Sequence, residues 1–387
     1  MTRAAAGFVC LALLVCPARA PQVLADEGDA RERRDRPLVG AIRWDAWTHW
    51  AGENAWGGYE KCLGPNEWHC RLPFYGKVVS DDKVEVRADT QEVMDQEIAY
   101  AAAGGLDYWA FGWYHPRGWQ NAENMTRCFD LYLSSRHRSD VAHCLILFGG
   151  LHLGPKSEWP ATVDYLVERF RDPNYQKVLG NRPLVYWFAM DEFVPYWGSE
   201  NAAGAALDLL RERSAAAGLG DPYMALMCFW PPQGAELLGT LGLDALGAYA
   251  NPPGNDNREL PYADCVALNR WFWAQCEDTG KPLIPTVNAG WDFRPMKRAE
   301  FPDRDLRNNW FAQATPGELA SHLGGAMDWV AQNPEVCEAN TVVIYAWNEF
   351  SEGGWICPTL TEGTARLDAI RQVIDTAAGT KQERKQG

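Results

Sequence analysis

Two glutamates three positions apart, Glu349 and Glu352, lie in the segment NEFSEGGW, which ends the last aliphatic run of the chain. Asn348 stands directly before them, and Trp347, Phe350 and Trp355 surround them. Two carboxylates are the minimum machinery for cleaving a glycosidic bond. One protonates the leaving oxygen and the other acts as base or nucleophile, which requires environments that pull their pKa values apart. Bulky aromatic neighbours would strip water from one acid and raise its pKa. The plainer reading is a pair of solvated loop carboxylates, and the position at a strand end weighs against it. A rival pair, Asp191 and Glu192, sits on adjacent residues, which usually point apart. His115 and His152 are further polar candidates, but the chain contains no HxH or HExxH pattern to supply metal ligands. A GxSxG elbow and a GxGxxG fingerprint are also missing, so neither metal nor cofactor is expected.

Carboxylates that act on one bond must be held by a rigid frame. Short apolar runs, in places 38–42, 106–113, 144–150, 183–190, 223–230, 243–249, 282–287 and 341–347, read as strands buried on both faces of a parallel sheet. Helical periodicity fills 90–105, 157–172, 200–218, 262–280, 316–334 and 365–378, with Thr90 as an N-cap. Eight strands with intervening helices predict an α/β fold, a single (β/α)8 TIM barrel over residues 38–378. Residues 44–89 form a loop after strand 1 that is too long for an ordinary strand-to-helix connection, and it is expected over the barrel mouth.

Barrel chemistry collects at the carboxyl ends of strands. Aromatics and a few polar groups crowd those ends here: Trp44 and Asp45, Trp113 with Tyr114 and His115, Trp230, Tyr249, Asn288 with Trp291 and Asp292, and Asn348. The chain holds nineteen tryptophans, well above common usage. Aromatic faces beside amides and carboxylates suit a pyranose. These eleven positions are therefore the expected sugar-binding residues, although any single tryptophan could equally fill core.

Composition narrows the partners. The 387 residues are 47% hydrophobic and 22% charged, enough for one large core. A formal charge of -15 repels phosphate polymers, which disfavours nucleic acid and acidic lipid. An oligosaccharide or polysaccharide fits better. Residues 1–25 have the pattern of a signal peptide, cut after Ala25, so a secreted or periplasmic product is expected. No later run is long and apolar enough to span a membrane. Residues 26–37 read as a flexible charged leader and 379–387 as a disordered tail. Of eleven cysteines, Cys10 and Cys16 fall in the signal. Cys62 with Cys70, Cys265 with Cys276, and Cys337 with Cys357 are candidate disulfides in an exported protein, and Cys228 reads as a buried free thiol.

The arrangement Asn348-Glu349-Phe350-Ser351-Glu352-Gly353 resembles glycoside hydrolase family 99, the endo-acting α-mannosidases and mannanases, and their bacterial barrel relatives. The segments EWHCRLPFYG, EIAYAAAGGLDYWAFGWYHP and IPTVNAGWDFRP extend the resemblance along most of the chain. It implies a retaining glycosidase acting on α-linked, mannan-like glycan. Glu349 would draw a proton from the substrate's own 2-hydroxyl to give an anhydro-sugar intermediate, and Glu352 would be the general acid and base. That family commonly carries Trp-His between the glutamates, where this chain has Phe350-Ser351, so a side chain near the donor sugar is expected to differ. Two alternatives stand beside this reading. One is a non-catalytic carbohydrate-binding barrel; the other is a glycosyl-transferring relative associated with polysaccharide biosynthesis.

Overall fold

A computed structural model describes residues 36–48, 59–119, 122–300 and 308–384. The barrel strands are β1 (Leu38–Arg43), β2 (Tyr108–Trp113), β3 (Ala142–Phe148), β4 (Arg182–Phe188), β5 (Tyr223–Met227), β6 (Ala245–Gly247), β7 (Thr286–Asn288) and β8 (Thr341–Tyr345). All pair in parallel in the order β7-β8-β1-β2-β3-β4-β5-β6. A parallel bridge between Leu246 and Leu283 brings the two ends of this row together. The result is the expected (β/α)8 barrel, nearly closed.

Alternation along each strand sends one set of side chains inward. Tyr108 hydrogen-bonds Tyr186 at 2.8 Å and Thr341 at 3.0 Å, so hydroxyls from β2, β4 and β8 satisfy one another inside the ring. Gly40 of β1 faces this layer, and a Cβ there would meet the Tyr108 ring at 2.1 Å. The opposite set packs under the helices.

Those helices are α1 (Gln91–Ala103), α2 (Ala122–Ser134), α3 (Trp159–Phe170), α4 (Glu200–Ala216), α5 (Pro231–Leu241), α6 (Tyr262–Asp278), α7 (Pro316–Gln332) and α8 (Ala365–Arg384). Thr90 caps α1 through Val93 N, as expected, and Thr315 with Glu318 forms a capping box on α7. Each such cap stabilises a helix by about 1 kcal/mol. The sequence reading did not find α2 or α5. Helix α5 carries Gly234 and Gly239 and opens on two prolines, so its propensity is poor and tertiary packing of Leu238 and Leu241 holds it.

Two further expectations change at the ends of the barrel. The last helix continues to Arg384, into the segment read as a disordered tail, because Lys, Gln, Glu and Arg are all good helix formers. Arg36 lies within the expected leader, yet it binds Asp107 at 2.6 Å and pins the entry to β1. The expected signal peptide and the remainder of the leader to residue 35 lie outside the described residues.

The expected disulfides are not formed among the nine described cysteines. Cys265 and Cys276 both lie on α6, where eleven residues of helical rise separate them by about 16 Å. A disulfide needs Cα atoms closer than about 7 Å. Cys62 is buried in a short helix while Cys70 is exposed on a separate turn. Cys357 is buried beside Glu97, its thiol 3.9 Å from that carboxylate. Cys228 is a free, partly buried thiol, as read.

Candidate active site

The chain leaves β8 and folds into a small hairpin in which Asn348–Glu349 pairs antiparallel with Gly354–Trp355. The turn of this hairpin carries Glu352. Gly353 makes the turn tight: its φ is +81°, and a Cβ would lie 2.6 Å from the backbone nitrogen of Asp292. Only glycine tolerates both conditions without strain. The Asp292 N–H donates to the Glu352 carbonyl at 2.6 Å, tying the hairpin to the loop after β7. Arg71, from the long loop after β1, donates to the carbonyls of Phe350 and Asp292 at 3.3 Å and pairs with the Asp292 carboxylate. Arg294 binds the same carboxylate at 2.8 Å. Burial opposes the Asp292 charge, but the two guanidiniums hold its carboxyl below the usual range.

Glu349 and Glu352 both face one cavity of about 330 Å3 at the barrel mouth. Its remaining walls are Trp44, Tyr59, Tyr114, Phe148, Phe188, Tyr249, Phe293 and Met296. Glu349 is only 2% exposed. Tyr249 donates to its Oε1 at 2.5 Å, while Oε2 is buried without a hydrogen-bond partner among the described residues. Tyr345 donates to Oε2 of Glu352 at 2.6 Å. Burial pushes Glu349 well above the ordinary carboxylate value, and the charge of Glu352 pushes in the same direction. Burial also lifts Glu352, to about 7, against the opposing Tyr345 hydrogen bond. Glu352 is therefore placed to exchange a proton near neutrality, and Glu349 holds its proton more tightly than an ordinary carboxyl.

The aromatic walls are ordered by stacking. Tyr114 stacks on Phe148 at 4.5 Å and Phe188 on Tyr249 at 4.9 Å. Trp44 Nε1 donates to the Tyr114 hydroxyl at 2.9 Å, fixing two walls together. The long loop after β1 reaches the mouth as expected, since it delivers Trp44 and Tyr59 to this cavity.

Of the expected sugar-binding residues, Trp44, Tyr114 and Tyr249 reach the cavity. Others stand behind it. Asn348 accepts from Trp44 N and donates to Asp45 at 3.1 Å, and Asp45 is paired with Arg43 at 2.9 Å. Arg43 also binds Glu97 at 2.8 Å, and Glu97 accepts from Trp347 Nε1. Asp45 and Asn348 thus brace the strand ends in a buried polar network. Asn288 is fully buried and bonds the Asn251 backbone. Asp292 serves the hairpin as described. Trp113 points outward and stacks on Tyr165 of α3 at 5.4 Å. His115 lies 3.4 Å from Glu158 and accepts from Arg117 N. Trp291 packs against Phe293 and Tyr345. Trp230 lines a neighbouring cleft, together with Asp191 of the rival acid pair.

Phe350 and Ser351 also differ from expectation. Both are fully buried beneath the hairpin, Phe350 against Trp47 at 5.5 Å, and neither lines the cavity. The sequence reading missed Tyr345, Phe148, Phe188, Phe293 and Met296. Strand parity was the available signal for the first three, because each occupies the inward-facing set at a strand end.

Among the described residues no group of three or more His, Cys, Asp or Glu is placed to hold a metal ion, and no helix is long and apolar enough to cross a membrane. The fold is shared with an endo-alpha-mannosidase of glycoside hydrolase family 99 from Bacteroides thetaiotaomicron. In two structures of that enzyme the TM-scores are 0.58 and 0.55 at 12% and 13% identity, over 90% of this chain and 99% of that one. A glycoside hydrolase-like protein aligns with TM-score 0.56 at 14% identity, over 88% of this chain and 95% of its own. The uncharacterized protein WxcX from two strains of Xanthomonas campestris pv. campestris is 33% identical over 101 residues, or 24% of this chain. The match takes in only 12% of WxcX, so the chain spans about an eighth of these curated relatives. Residues 138–370, more than half of the chain, match the family model described as glycosyltransferase WbsX, and the chain belongs to that family of glycan-related barrels.

Proposed function

We propose that the protein is a retaining glycoside hydrolase acting on α-linked, mannan-like glycan through Glu349 and Glu352. The observation that carries this reading is the shared aromatic cavity, in which one oxygen of a buried carboxylate, Glu349 Oε2, has no partner among the described residues. Leaving a buried polar group unpaired costs about 1–3 kcal/mol. A sugar hydroxyl entering the cavity would satisfy it.

In this mechanism Glu352, near 7, is poised as general acid. It gives its proton to the glycosidic oxygen as the bond from that oxygen to C1 breaks. Glu349 takes the proton of the 2-hydroxyl, whose oxygen closes on C1 to form an anhydro sugar. Water then attacks C1, Glu352 receives the water's proton, and Glu349 returns a proton to O2 as the anhydro bond opens. Two displacements at C1 retain the anomeric configuration. A raised pKa makes ionised Glu349 a stronger base toward a weakly acidic hydroxyl.

The family description favours a second reading, in which a sugar hydroxyl replaces water in the second step. The acid pair would serve transfer and hydrolysis alike, and the acceptor distinguishes them. Incubation of α-mannan with the enzyme in 18O-labelled water tests both. Hydrolysis places one label at each new reducing end; lengthened, unlabelled products would favour transfer. Activity of the Glu352→Gln variant equal to that of the parent would exclude either use of the pair. Export from the cytoplasm is part of the proposal, since a mannan-like polymer is met outside the cell.

A further inference from the structure

Beside the cavity that holds the glutamates lies a second cleft of about 470 Å3, at the ends of β4 and β5 and walled by α5. Its edge presents Phe229, 63% exposed, and Trp230, 50% exposed. Trp271 of α6 is 43% exposed and lies 5.8 Å from Trp230. Three large aromatics grouped in water on one edge contribute little to the core and mark a binding surface.

The cleft adjoins the cavity that holds the glutamates. Phe188 lines both. On one side it stacks on Tyr249, the residue bonded to Glu349, and on the other it packs edge-on against Phe229 at 5.7 Å. A row of packed rings, Tyr249, Phe188 and Phe229, therefore leads from the acid pair to the edge where Trp230 and Trp271 are exposed. Asp191, Glu200, Gln233, Glu236 and Thr240 supply polar atoms along the cleft, and among the described residues no lysine or arginine lines it. Aromatic faces with a polar rim meet the C–H faces and hydroxyls of a sugar ring. The three carboxylates repel uronic acid or phosphate groups.

We infer that this cleft is an outer subsite for the glycan whose bond is cleaved at Glu349 and Glu352, and that it takes a chain free of acidic groups. The inference rests on the hydrolase reading for the identity of the glycan, and on Phe188, shared by cleft and cavity, for their adjacency. The occupant is a continuation of the same chain, which makes binding depend on chain length.

The test uses full-length Glu352→Gln protein and titration calorimetry with α-linked manno-oligosaccharides from disaccharide to hexasaccharide. Affinity should rise by about tenfold or more with length, a step of 1.4 kcal/mol. Phe229→Ala and Trp271→Ala, singly and together, should remove the gain while leaving disaccharide affinity unchanged. Both side chains are exposed, and circular dichroism checks that the variants fold. Oligogalacturonate of equal length should not bind. Length dependence that survives the double substitution, or equal binding of oligogalacturonate, overturns the subsite and leaves the hydrolase reading standing. No binding of any neutral oligosaccharide by the parent overturns both.

Discussion

Replacing Tyr249 with phenylalanine removes one hydroxyl and leaves the ring stacked on Phe188. The lost group donates at 2.5 Å to Oε1 of Glu349, the only hydrogen bond that side chain receives among the described residues, where Oε2 has no partner. A hydrogen bond to a charged group contributes about 1.5–3 kcal/mol. At 1.36 kcal/mol per pKa unit, its loss should raise Glu349 by about one to two units. The sign follows from which form the bond favours. Tyr249 stabilises the ionised carboxylate against burial and the charge of Glu352, so without it the proton is held more tightly. At a pH below that raised value the ionised fraction falls by about ten- to a hundredfold. The acid limb of the kcat/KM profile should move to higher pH by the same one to two units, with activity recovering on its alkaline side until Glu352 loses its proton. The assay is the pH dependence of α-mannan cleavage by parent and Tyr249→Phe proteins. An acid limb that stays in place in a folded variant refutes the assignment of Glu349 as the base.

Other consequences are more direct. Glu352 is lifted from 4.5 in the ordinary state to about 7 in the fold, so its contribution is fully present below the lower value and is lost as pH rises through the higher one. Glu352→Gln does not ionise, and urea unfolding should find it more stable than the parent at pH 8 by up to about 3 kcal/mol, with no advantage at pH 4. Equal stability at both pH values contradicts the raised pKa. Gly353→Ala forces a Cβ to within 2.6 Å of Asp292 N at φ +81°. It should destabilise by about 1–3 kcal/mol and lower kcat, and a variant with the stability and turnover of the parent would show that the hairpin is not held as described. A thiol reagent should modify Cys70 rapidly in native protein and the buried cysteines only on unfolding. A deficit of titratable thiols in the unfolded, unreduced protein would mean that disulfides form after all.

The barrel was legible because strands buried on both faces announce themselves as apolar runs, and the eight runs became the eight strands. The acid pair was legible for a related reason: polar residues at the end of an aliphatic run have no structural role there that sequence can supply. What surrounds the pair was not. Trp113 and Tyr114 are neighbours in sequence, yet one stacks on α3 and the other lines the cavity, because strand parity sends successive side chains to opposite faces. Asp45 and Asn348 look like free sugar ligands until the fold brings them together across 303 positions and satisfies each with the other. Phe350 and Ser351 lie between two cavity-facing glutamates, and the hairpin turns both underneath. The paired cysteines misled through spacing alone, since eleven residues that are close along a loop are far apart along a helix.

The most direct test of the account is 1H NMR of the first products formed from a panel of α-linked polysaccharides. A mannan-like member should be cut to give new reducing ends in the α configuration before mutarotation, and Glu352→Gln should abolish the signal. Products that appear first as the β anomer, or cleavage that persists without Glu352, would contradict it.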